Sequence, residues 1–94
     1  MAPELSDAYY RGLEARLRVL RPLVGACIPR VLDAFTEYLD AGEYGLAVEV
    51  ATEALGREVG SSEGRALASG LVAEATVMEL PRELILTLRR IAEG

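Results

Sequence analysis

The sequence predicts an all-α fold, a compact bundle of four or five short helices. Apolar residues recur at steps of three and four along most of the chain, and no alternating strand pattern interrupts them. Half the residues are apolar, at 51%, chiefly Leu, Val and Ala, whereas only four Tyr and one Phe are aromatic. Small and aliphatic side chains of this kind suit helices packed at short range. Ninety-four residues are enough for one core and too few for two, so the chain reads as a single helical domain over 1–94.

Leu5, Tyr9, Leu13, Leu17, Leu20 and Val24 share one face of a first helix, with Ser6 or Asp7 available to cap it. Glu14 stands four residues before Arg18, the favourable order for a surface pair, and Pro22 is expected to end the helix. A second helix is predicted over "GACIPRVLDAFTEYLDAG", with Pro29 in its first turn and Ile28, Val31, Leu32, Phe35 and Leu39 buried. Gly42 is a left-handed stop. A third helix is predicted over 43–58, burying Leu46, Ala47, Val50, Ala51, Ala54 and Leu55, with Glu49, Glu53 and Arg57 opposite and Glu53 paired to Arg57. "GSSEG" is a loop in which Ser61 or Ser62 caps a fourth helix bearing Leu67, Leu71, Ala75 and Met78. Ala66 and Gly70 would let another backbone come close to it. Pro81 separates this helix from a last one whose Leu84, Ile85, Leu88, Ile91 and Ala92 form a broad apolar face, with Arg89 and Arg90 at its C-terminal dipole.

Charge is unevenly distributed. The net charge is −5, but residues 33–63 alone hold eight acids against Arg57. An acidic middle third repels phosphate, so no nucleic-acid partner is expected, and it favours a basic one. No apolar run approaches a membrane span or a signal peptide, and a cytoplasmic protein without a membrane partner is expected. With no histidine and one cysteine, Cys27, His-based catalysis, the usual zinc sites and an internal disulfide are excluded. Cys27 reads as a free thiol in an apolar setting. Nothing supplies a phosphate loop or an activated nucleophile, so an enzyme, a catalytic residue and a cofactor are not expected.

Asp33, Glu37 and Asp40 fall at i, i+4 and i+7, and Glu43 and Tyr44 follow just past the turn. Like charges at this spacing repel by a few tenths of a kcal/mol each. The run reads as a solvated acidic face, as a docking site for a basic partner, or, least well, as a metal site. Tyr9, Tyr10, Tyr38 and Tyr44 are candidates for rings at the rim of the core; Tyr10, off the apolar stripe, and Tyr44, beside the acids, are each expected at the surface, and Tyr is enriched among interface anchors. Arg11, Arg18 and Arg21 read as ordinary helix decoration.

Residues 35–55, "FTEYLDAGEYGLAVEVATEAL", resemble the signature region of small bacterial immunity proteins of the Maf type, encoded beside polymorphic toxins. The likeness rests on "LDAGE", Leu39 to Glu43, and on Gly45, Ala47 and Glu49 of a following G-x-A-x-E-x-L pattern, in which Ala51 stands where the family often shows Leu. It implies a short, acidic, helical, non-enzymatic protein that binds a cognate toxin, often a nuclease, and blocks it. The expected contact residues are Asp33, Glu37, Asp40, Glu43 and Tyr44. The alternative is a helical homodimer or adaptor whose surplus Leu and Val, notably on the last two helices, are covered by self-association.

Overall fold

A computed structural model describes residues 7–58 and 60–94. It contains α1 (Asp7–Val19), α2 (Arg21–Cys27), a 3-10 turn (Pro29–Val31), α3 (Leu32–Asp40), α4 (Tyr44–Leu55), α5 (Ser62–Val77) and α6 (Arg82–Glu93). Among the described residues, five helices of nine residues or more make up the bundle, with the seven-residue α2 as an elbow between two of them. The radius of gyration, 12.7 Å, is close to the ~12 Å of a compact chain of this length.

The first half of the chain departs from the predicted boundaries. Helix α1 stops at Val19, and Pro22, instead of ending a helix, sits in the first turn of α2, where a missing N–H is an orphan donor in any case. Gly25 to Cys27, expected to open the second long helix, close α2 instead. Ile28 precedes Pro29 and takes φ −136°, ψ 58°, outside the helical region that a following proline disfavours. Leu5 and Ser6 lie outside the described residues, and Asp7 is in the first turn of α1.

The core gathers Leu13, Leu17, Val24, Ile28, Phe35 and Leu39 from the first half with side chains of α4, α5 and Leu88 of α6. Helix α4 lies among α1, α3, α5 and α6, and α5 packs along the length of α6. The buried face of α4 is rotated from the predicted one: Val48 and Thr52 are buried, while Leu46 is 40% exposed. Thr52 meets its polar demand by donating from Oγ1 to the carbonyl of Val48 at 2.7 Å. Helix α5 starts as expected, Ser61 Oγ accepting from the N–H of Gly64 at 2.9 Å. Gly70 does admit a close neighbour, but it is the Leu20 side chain rather than a backbone: a Cβ there would stand 2.6 Å from Leu20 Cδ2. Ala66 is exposed. The expected pairs Glu14–Arg18 and Glu53–Arg57 are present at 2.7 and 3.4 Å.

Candidate functional site

The corner between α3 and α4 is built by a single glycine. Gly42 has φ +76°, its N–H donates to Leu39 O at 3.1 Å, and the N–H of Glu43 donates to Tyr38 O at 2.8 Å. These two bonds close the end of α3 in a Schellman arrangement, which needs a left-handed residue at that one position. The reversal places Glu43 at the start of α4, directly after the acidic face of α3.

Asp33, Glu37 and Glu43 are exposed, and among the described residues no cation lies within ion-pair distance of them. Asp40 differs. Its Oδ1 accepts from the guanidinium of Arg18 at 2.7 Å, and the same arginine donates to Glu14 Oε2 at 2.7 Å. The bonds to Asp40 and then Glu14 make Arg18 hold its proton more tightly than a free guanidinium. Asp40 is thus offset by a cation from α1, which spacing along its own helix cannot show. Its side chain remains 63% exposed. Arg21 likewise turns inward to the same helix, Nε donating to Thr36 Oγ1 at 3.1 Å.

Tyr44 is half-buried rather than a free surface ring. Its hydroxyl donates to Glu14 Oε1 at 3.1 Å, and burial, followed by that bond to a carboxylate, raises its pKa above the ordinary tyrosine value. Glu14 therefore ties Arg18 and Tyr44 together, and through Arg18 also Asp40, locking α1 to both sides of the corner. The ring of Tyr44 lies 6.4 Å from that of Tyr10, which in turn meets Tyr9 edge-on at 5.1 Å. Tyr10 is 41% exposed.

These three rings, with Leu46, Met78 and Leu80, line a groove of about 590 Å³ whose polar rim is Glu43 and Glu49. No arginine lines it. The corner thus joins an aromatic floor to an acidic edge. The pairing of Tyr10 with Tyr44 was legible in sequence only as two separate surface candidates. Leu46 was assigned to the core, and nothing in the sequence pointed to Leu80.

A cleft of about 670 Å³ lies elsewhere, between the α2 end, the α5 start and the α6 end, and it contains Cys27 with Glu58, Glu63, Arg65 and Arg90. Burial, then the charges of Glu63 and Glu58, push the Cys27 thiol up, so it is a poor nucleophile near neutral pH. The charges around it are of both signs and select no ligand. Among the described residues no group of three or more His, Cys, Asp or Glu side chains is placed to hold a metal ion, and no helix is long and apolar enough to cross a membrane.

Comparison of the chain with protein-family models, with curated proteins and with solved structures returns no match, so the geometry of the corner and the motif at 39–49 stand on their own.

Proposed function

We propose that the chain is a non-enzymatic bacterial immunity protein: a cytoplasmic inhibitor that neutralises a cognate toxin by seating a basic surface on the α3–α4 corner. Asp33, Glu37, Asp40, Glu43 and Tyr44 make the contact. The observation that carries this reading is the one-sidedness of the corner. Three exposed carboxylates, Asp33, Glu37 and Glu43, have no cation partner among the described residues, and Glu43 lines a groove together with three tyrosines.

Each part has a physical role in such an interface. Unpaired exposed carboxylates steer a cationic partner and raise the association rate, an effect that falls with salt. Tyrosines lining a groove supply contact area at low entropic cost. Asp40, already bonded to Arg18, contributes its remaining acceptor positions and fixes the end of α3. A nuclease toxin fits because its substrate channel must be cationic to hold phosphate, and an acidic corner competes for that same charge.

The test is co-expression with the product of the adjoining reading frame, followed by titration calorimetry at two salt concentrations. Under the proposal that product is toxic alone and silenced by this chain. The double substitution Asp33→Arg and Glu37→Arg weakens binding by about tenfold or more and flattens its salt dependence. Unchanged affinity and unchanged salt slope would remove this surface from consideration.

A further inference from the structure

The groove at the corner continues beyond Leu46. A second depression, of about 580 Å³, adjoins it between α4 and α6, with Glu53 and Val50 on one side and Glu83 and Leu84 on the other. Leu46 and Glu49 line both. Along the chain, Glu43, Leu46, Glu49, Val50, Glu53 and Gly56 follow at helical steps, so the two depressions form one face of α4 read along its length. Residues 43–56 span roughly 20 Å at 1.5 Å per residue.

We propose that this face receives a basic amphipathic helix of about 13 residues, presented by the partner. This rests on the immunity-type reading and specifies what the partner offers. Three observations point to that occupant. Neither depression is lined by any of the ten arginines of the chain, whereas Glu43, Glu49, Glu53 and Glu83 line them, so the complementary surface is cationic along its whole length. Leu46 and Tyr10 are two of the five large apolar side chains exposed among the described residues, at 40% and 41%, and both lie in the groove, so the occupant also carries apolar anchors. Among the described residues Glu53 is paired only with Arg57, at 3.4 Å with both side chains more than 60% exposed, a pair weak enough to exchange for an incoming cation.

Helical form follows from the walls. Helix α4 is one wall throughout, facing α6 in the second depression and α1 with the turn after α5 in the first; the interior backbone groups of these helices are satisfied within each helix, and no strand lies among the described residues, so no sheet edge is on offer for an extended segment to join. A side-chain-lined groove between two helices instead accepts the ridge of a third, its anchors at i, i+3, i+4 and i+7 facing inward and its cations toward the acidic rims.

The probe is a synthetic 14-residue peptide of Leu and Lys in helical period, compared with a peptide of the same composition scrambled so that no amphipathic helix forms. Binding is followed by calorimetry and by helix induction in far-UV circular dichroism. The patterned peptide is expected to bind at least about tenfold more tightly than the scrambled one and to gain helix on binding. Leu46→Arg with Glu49→Arg, both at exposed positions, abolishes that preference, while Asp33→Asn with Glu37→Gln leaves it within about twofold. Equal binding of the two peptides overturns the proposal, since charge alone would then suffice. It is also overturned if sedimentation finds a dimer that Leu46→Arg converts to monomer, because a second copy then covers the face. If only the Asp33 and Glu37 variants lose the natural partner, the helix groove fails and the acidic corner stands. If the patterned peptide binds the groove but the adjoining product does not bind, the immunity reading fails and the groove's chemistry stands.

Discussion

Among the described residues, Gly42 and Glu79 adopt the left-handed conformation at the same point of the same Schellman motif, and only the glycine is suited to it. Gly42 ends α3 at φ +76°; Glu79 ends α5 at φ +56°, its N–H donating to Thr76 O and the N–H of Leu80 to Ala75 O. A side chain in this region costs roughly 1 kcal/mol relative to glycine. Glu79→Gly is therefore expected to stabilise the protein by about 0.5–1 kcal/mol, net of the extra freedom it gives the unfolded chain, raising Tm by about 4 °C. Gly42→Ala is expected to do the reverse by about 1 kcal/mol, through the backbone alone, since nothing lies within 4 Å of the added Cβ. Thermal unfolding of the two variants checks both signs, and a destabilising Glu79→Gly would mean that the Glu79 side chain does something beyond enduring its backbone. The sequence announces the first of these residues because it is a glycine and hides the second because it is not. Pro81 marks only that a stop is near.

At the scale of the elements, what periodicity reveals depends on how much of a helix is apolar. In α6 a polar side exists, and its stripe of Leu84, Ile85, Leu88, Ile91 and Ala92 is buried or half-buried as read. In α4, "GLAVEVATEAL" is apolar nearly all round, so two rotations about the axis differ little in pattern, and neighbours on several sides decide between Leu46 and Val48. The unpredicted α2, which joins the end of the first predicted helix to the start of the second, had a similar cause, since a proline one position into a helix and a proline ending one look alike in sequence. Long-range ion pairs are invisible to spacing altogether. Arg16 of α1 donates from Nε to both oxygens of Glu74 on α5, at 2.9 and 3.1 Å, and Glu74 is only 6% exposed. Removing the cation leaves a buried carboxylate without its donor, whereas the arginine itself is half exposed and loses little by leaving. Arg16→Ala is thus expected to destabilise by about 1–2 kcal/mol, measured by urea unfolding, and Arg16→Ala combined with Glu74→Met to recover most of that loss. A double variant as unstable as the single one would show that the cost lies in packing of the arginine stem rather than in the orphaned charge.

For the molecule as a whole, the question is whether its acidic third is maintained at a cost. The net charge of −5 is concentrated in residues 33–63, and much of it is uncompensated: Asp33 and Glu37 are one turn apart on α3 with no cation partner among the described residues. Glu37 is the sharper case, because it lies in the last turn of α3, where the negative end of the helix dipole also opposes a carboxylate. A sequence selected for stability alone would put a neutral or cationic side chain there. Glu37→Gln is accordingly expected to stabilise the fold by about 0.3–0.5 kcal/mol at low ionic strength, a rise of about 2 °C in Tm. Asp33, by contrast, stands in the first turn, where the dipole favours its charge, so Asp33→Asn gains less. Because the repulsion acts between exposed groups, 1 M salt screens it within about 3 Å, and the advantage of Glu37→Gln is expected to vanish there. The same substitution removes one of the charges proposed to steer the partner, so it is expected to slow association while strengthening the fold. Stability and association rate moving in opposite directions is what separates a carboxylate kept for binding from one that is merely solvated. Were Glu37→Gln to leave the association rate untouched, the acids of α3 would be surface decoration, and the contact would have to be sought along α4 alone.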